Sequence, residues 1–162
     1  MKKDAFYREL GRDNIMGEAD PNTHLAAEFY VMSMLYRYGA NVALTLKEKK
    51  AIDIIVEKEG KALTIDVKGL QDKSSFPFDN CTTRKEHHYY IFVSFLEKIL
   101  DPAVAPEAYI VPSLDVDQIH TELEGKDFVY RSPQDLKRVQ YGRLEKLSKK
   151  YLHKWDVFCE TH

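Results

Sequence analysis

Ala51-Ile52-Asp53-Ile54-Ile55-Val56-Glu57, then Lys58-Glu59-Gly60, then Lys61-Ala62-Leu63-Thr64-Ile65-Asp66-Val67-Lys68 is the stretch that decides the fold. Two runs of aliphatic and β-branched residues flank a charged turn that ends in glycine, which is the pattern of a β-hairpin. Residues two apart on a strand share a face, so Asp66 and Lys68 project together while Leu63, Ile65 and Val67 form the apolar side. On the preceding strand Ile52, Ile54 and Val56 form one face, and Asp53, Ile55 and Glu57 the other. If the turn is the two-residue loop Glu59-Gly60, Lys58 pairs with Lys61 and Asp53 stands opposite Asp66, whereas a bulged three-residue loop shifts the register. Directly opposed residues have Cβ atoms about 4.5–5.5 Å apart. Two carboxylates so placed repel unless something positive sits between them.

Upstream, Asp20-Pro21 and Thr23 supply helix-start signals, and a helix is expected from about His24 to Tyr38, ending at Gly39. Leu25, Glu28, Met32 and Leu35 fall on one helical face, flanked by Phe29 and Tyr36. Glu28 is then a carboxylate within a core-facing apolar stripe, and burying it unpaired is costly, so a partner is expected. The plainer reading puts Glu28 on the edge of the stripe, reaching water.

Asn41–Leu46 reads as a strand before the hairpin, and 69–88 as an irregular excursion. Phe76 and Phe78 either anchor that excursion to the core or form part of a substrate-contacting flap. Tyr89–Leu96 and Tyr109–Val111 read as buried strands. A short helix is expected from Ser113 to about His120, and a final one from Ser132 to about Leu152. Trp155, Tyr151 and Phe158 are read as packing. The expected architecture is α/β, a central mixed sheet of about five strands flanked by helices, in a single domain over 1–162 whose core is about 17–112, followed by a helical extension.

The chain has 162 residues, 44% hydrophobic and 31% charged, which suits an ordinary globular domain. It contains no 18-residue apolar run, so no membrane span is expected. Met1-Lys2-Lys3-Asp4-Ala5 is not followed by an apolar signal core, and Cys81 and Cys159 are far apart. Reduced thiols and a cytoplasmic location are therefore expected. The net charge of −2 argues against a purely electrostatic DNA binder, but its distribution is uneven. Between Asp135 and Lys154 seven Lys/Arg face two acids. Such a segment tracks phosphates or is simply a solvated face. Lys146, Lys149 and Lys150 there, with Arg84 and Lys85 in the excursion, are the candidate DNA contacts. Glycine-rich phosphate loops, Gly-x-Ser-x-Gly and dinucleotide fingerprints are absent. His87-His88 and Cys81 lack a second Cys/His pair, so structural zinc is not expected.

Asp-x-Lys alone arises by chance, and an ordinary salt-bridged strand pair would account for it. Three acids and a lysine converging on one sheet face are more specific. Mg²⁺ takes oxygen ligands, commonly one or two carboxylates with waters and substrate phosphate. A lysine beside it can orient or deprotonate a water, or steady transition-state charge.

The order Glu28, Gly39, Ile52-Asp53 and Ile65-Asp66-Val67-Lys68 resembles the PD-(D/E)xK nuclease superfamily, and within it archaeal Holliday-junction resolvases and small endonuclease-like proteins near them. The resemblance covers roughly 17 to 112, with Tyr109-Ile110-Val111-Pro112-Ser113 similar to a recurring piece of some of those proteins. Ala51-Ile52 departs from the proline often found before the first aspartate. The resemblance implies a restriction-endonuclease-like core, Asp53 and Asp66 as ligands of Mg²⁺ or Mn²⁺, Glu28 as the helix acid that binds or orders metal, and Lys68 as the catalytic lysine. It implies DNA, branched or foreign, as substrate, and a homodimer as one form. The same fold retained without cutting, to bind nucleic acid or a protein, is the alternative.

Overall fold

The computed structural model describes residues 22–44, 53–78, 81–116 and 138–159. Asn22 caps the first helix, its Oδ1 accepting from the Leu25 N–H at 3.0 Å. Helix α1 runs over Thr23–Arg37. It stops where Gly39 takes φ +78°, so that the N–H groups of Gly39 and Ala40 return to the carbonyls of Tyr36 and Leu35. The glycine cap expected from the sequence is the one that forms.

The strands are β1 (Asn41–Leu44), β2 (Ile54–Lys58), β3 (Lys61–Leu70), β4 (Ser75–Pro77), β5 (His88–Ser94), β6 (Glu107–Pro112) and β7 (Arg138–Gln140). Five of them form one sheet in the order β1-β2-β3-β5-β6. Only β3 and β5 run parallel; the other neighbours are antiparallel. This is the mixed five-stranded α/β sheet that the sequence led us to expect. The β2–β3 turn has two residues, with Glu59 at φ 51° and Gly60 at φ 73°. Both angles are positive, as a tight hairpin turn requires, and Lys58 pairs with Lys61 as anticipated.

Alternation across the sheet divides the core in two. Ile54, Val56, Ile65, Val67, Ile91 and Val93 meet α1 through Ala27, Val31 and Leu35. Trp155 and Phe158, in a short 3₁₀ turn (Trp155–Phe158), close this layer, with Trp155 edge-on to Tyr30 at 6.2 Å. On the opposite face Tyr90, Phe92 and Tyr109 pack with Phe76, Phe78 and Leu144. Phe76 and Phe78 lie 5.5 and 6.0 Å from Phe92, so they anchor the excursion.

Three expectations need correcting. The buried stripe of α1 is Ala27, Val31 and Leu35, not Leu25, Glu28, Met32 and Leu35; Leu25 is 42% exposed. The small Ala27 lets the helix approach β3 closely, which turns the larger side chains outward. The excursion also contains order, because β3 continues through Gly69 to Leu70 and β4 follows. The final helix is shorter than expected. Arg138–Gln140 is β7, paired with β4 so that Val139 is buried opposite Phe76, and helix α2 covers only Tyr141–Ser148. A β-branched residue docked in an aromatic cluster, with Arg138 Nε donating to Ser75 Oγ at 2.8 Å, outweighs local helix preference there. The short helix after Pro112 is a 3₁₀ turn over Ser113–Asp115. Its expected continuation toward His120, the start of the final helix at Ser132, and the last two residues of the first expected strand, 45–46, lie outside the described residues. Among the described residues no helix is long and apolar enough to cross a membrane, and Cys81 and Cys159 are free thiols.

Candidate metal centre

β2 ends before β3 does. Its last pair is Ile54↔Ile65, and β3 continues for five more residues with no β2 residue beside them. Asp53 sits at this break. Its backbone N–H donates to the carbonyl of Ile65, the residue already paired with Ile54, at 2.8 Å, so the ladder steps out of register at Asp53. Its side chain turns toward β3, where Oδ2 accepts the Val67 N–H at 2.7 Å. A strand residue would have pointed away from that N–H, so the break places the carboxylate.

Asp66 and Lys68 project from β3 on the side of Tyr90 and Phe92, their β5 partners. Lys68 Nζ lies 2.8 Å from Asp66 Oδ1, and both side chains are largely enclosed. Burial and then the neighbouring carboxyl of Asp53 push the Asp66 carboxyl up to about 7, against the opposing pull of Lys68. For Lys68, burial pulls the ammonium down, but attraction to Asp66 outweighs it and leaves the group above its ordinary value. Lys68 is therefore a cation throughout the neutral range.

Glu28 arrives from the other layer. Gly69 allows this, because a Cβ there would lie 2.7 Å from the Thr23 carbonyl oxygen and 2.9 Å from Ala27 Cβ. With no side chain at Gly69, the first turns of α1 rest directly on β3, and the face carrying His24 and Glu28 comes beside Asp53. The Glu28 side chain is 13% exposed and its Oε1 lies 3.0 Å from His24 Nε2. Burial, then Asp53, raise the Glu28 carboxyl above its usual range, partly offset by His24. Among the described residues, His24, Glu28 and Asp53 bring one ligand atom each within 4.8 Å of one another.

Asp53 thus stands between two groups, His24 and Glu28 on one side, Asp66 and Lys68 on the other. A set of three carboxylates with one adjacent lysine fits a hard divalent cation, which would offset the burial and the neighbouring charge that raise Glu28 and Asp66. The sequence picked out Glu28, Asp53, Asp66 and Lys68, and all four meet here. It passed over His24, although His24 lies one helical turn before Glu28 and so shares its face.

The outlying cations differ. Arg84 is held by its own loop, Nη1 donating to the carbonyls of Cys81 at 2.6 Å and Thr83 at 3.1 Å. Lys85 is exposed, and its backbone is clamped by Ser113 Oγ. Lys146, Lys149 and Lys150 are exposed on α2 and the 3₁₀ turn after it. Helix α2 packs through Tyr141 and Leu144 on the face from which Asp66 and Lys68 project. His87 is exposed, while His88 is buried with Nδ1 2.8 Å from Thr64 Oγ1.

No protein-family model matches the chain, and no curated protein matches it. Among solved structures, the bacterial homing endonuclease I-Ssp6803I is similar over 86% of this chain and 90% of its own, at 16% sequence identity and a TM-score of 0.48. At that identity and score the likeness assigns neither residues nor activity.

Proposed function

We propose that this chain is a metal-dependent endonuclease that hydrolyses DNA phosphodiester bonds. The observation that carries the reading is that Asp53 links Glu28 on one side to Asp66, paired with Lys68, on the other, at the point where β3 outruns β2. Asp53 and Asp66 hold Mg²⁺ or Mn²⁺, with Glu28 ordering or completing the site. A cation bound there would polarise the phosphoryl oxygen, activate the attacking water and steady the leaving oxygen.

The residues of the chain have separable roles. Asp53 is fixed by the Val67 N–H, so one carboxylate is preset in position before any ligand arrives. Lys68 is a charged donor already aimed into the site, suited to stabilising the extra negative charge of the transition state rather than to removing a proton. Lys146, Lys149 and Lys150, on the element that packs against the same sheet face, are the proposed phosphate contacts along the duplex, joined by Lys85. Arg84 is committed to its loop carbonyls and shapes that loop.

Cleavage of supercoiled plasmid and of a four-way junction in Mg²⁺, comparing the native protein with Asp66→Ala and Lys68→Ala, tests the reading. The native protein should cut at least one substrate, and both variants should lose the activity. Identical results from all three proteins contradict it. Retained DNA binding without metal uptake at Asp53 and Asp66 would support a non-cutting module instead.

A further inference from the structure

We propose that His24 is a metal ligand, completing with Glu28 and Asp53 a nitrogen-and-oxygen site that takes a borderline first-row divalent cation in preference to Mg²⁺. The inference rests on the metal-dependent reading above and sharpens which ion the centre accepts.

Three features support it. First, the trio is already near ligand spacing. Atoms about 2.0–2.2 Å from a shared ion stand about 3 Å apart when adjacent and about 4 Å apart when opposite. His24 Nε2 and Glu28 Oε1 are at 3.0 Å, and with the Asp53 oxygen the three fall within 4.8 Å of one another. Only small side-chain rotations are needed to surround one ion.

Second, the surroundings differ on the two sides of Asp53. Asp66 is bonded to Lys68, so that side already carries a compensating cation. Glu28 is met instead by the imidazole of His24, whose ring nitrogen is a metal-ligand atom. Third, access is suitable. The His24 side chain is 58% exposed while Glu28 is largely covered, which puts the nitrogen at the mouth of the site and the carboxylate inside it. An ordinary helix pair four residues apart would explain His24 and Glu28 alone. It does not explain why Asp53, from a different element, joins them.

The selectivity follows from the donors. Imidazole suits Fe²⁺, Ni²⁺ or Zn²⁺, and Mn²⁺, though harder than these, still accepts a nitrogen ligand more readily than Mg²⁺, which strongly prefers oxygen. Mn²⁺ is the probe of choice because its unpaired electrons report directly on a bound nitrogen. Pulsed electron paramagnetic resonance of the full-length protein with one equivalent of Mn²⁺ should show ¹⁴N coupling, and His24→Asn should abolish it. Because the chain has six histidines, survival of the coupling in His24→Asn would overturn the proposal. So would its absence from the native protein.

Titration calorimetry supplies a second reading. Loss of an outer hydrogen-bond partner of a metal ligand weakens binding about 10- to 100-fold, and loss of a ligand should weaken Mn²⁺ at least as much. Mg²⁺ affinity should change little in His24→Asn. Equal losses for both ions, or none, contradict the proposal. Mn²⁺ bound without nitrogen overturns the role of His24 but leaves the nuclease reading intact. Failure to take up either ion defeats both.

Discussion

The Asp53 carboxylate accepts the backbone N–H of Val67 at 2.7 Å, across the point where β2 stops and β3 goes on. A strand N–H beyond the last ladder pair must find another acceptor. Here it pins an acid that is shared by His24 and Glu28 from the helix and by Asp66 and Lys68 from β3. Asp53→Ala should therefore remove both the metal ligand and the acceptor for that N–H. It should abolish Mn²⁺ uptake and cost about 1–3 kcal/mol in urea unfolding, because the Val67 N–H is part-buried and loses a charged acceptor. Unchanged uptake would remove Asp53 from the site.

The Asp66 carboxyl gives the metal-free protein a definite pH dependence. Folding raises it from an ordinary carboxyl to about 7. Between those limits the native state holds a proton that the unfolded state has lost, so stability from this group is present at low pH and declines as pH rises through about 7. The melting temperature in chelator should fall between pH 5 and 8, and Asp66→Asn should flatten that slope. Divalent cation should restore the loss, with the largest gain at high pH. A melting temperature that rises across this range would contradict the assignment.

Gly69 controls whether the helix acid reaches the site. Gly69→Ala forces a methyl group to within 2.7 Å of the Thr23 carbonyl oxygen, a backbone atom that cannot simply swing aside. Overpacking of this kind costs about 1–3 kcal/mol. The displaced α1 should also weaken Mn²⁺ binding, which a calorimetric titration would detect in the folded variant. Full stability with native affinity would show that α1 does not need this close approach.

Lys68→Met separates charge stabilisation from metal holding. Removing a preorganised transition-state donor lowers kcat by roughly 10²–10³. Asp66 is released from its ion pair at the same time, so metal affinity should hold or improve. Parallel losses of binding and turnover would mean that Lys68 only supports Asp66.

Much of this centre was readable in the hairpin. Strand alternation and a two-residue glycine turn were enough to set the register from Lys58↔Lys61 to Ile54↔Ile65 and so bring Asp53 beside Asp66, although the ladder pairing stops one residue short of them. The helix was harder. Its apolar residues fit more than one stripe, and Leu25 and Met32 competed with Ala27 and Val31 for the inward face. Only the tight contact at Gly69 resolves that choice, and contacts between distant segments leave no local signature. The same is true of Trp155 and Phe158, which complete the α1 layer from the end of the described chain. Periodicity could not show that Val139 pairs with Phe76, since a three-residue strand has too few residues to display a period.

The most direct test is a crystal of the full chain soaked in Mn²⁺, with anomalous density recorded. The predicted result is a peak about 2.0–2.2 Å from a carboxylate oxygen of Asp53, the acid common to both groups, with Glu28 and Asp66 beside it. A saturated soak that leaves this position empty, or that places the ion away from Asp53, would contradict the account.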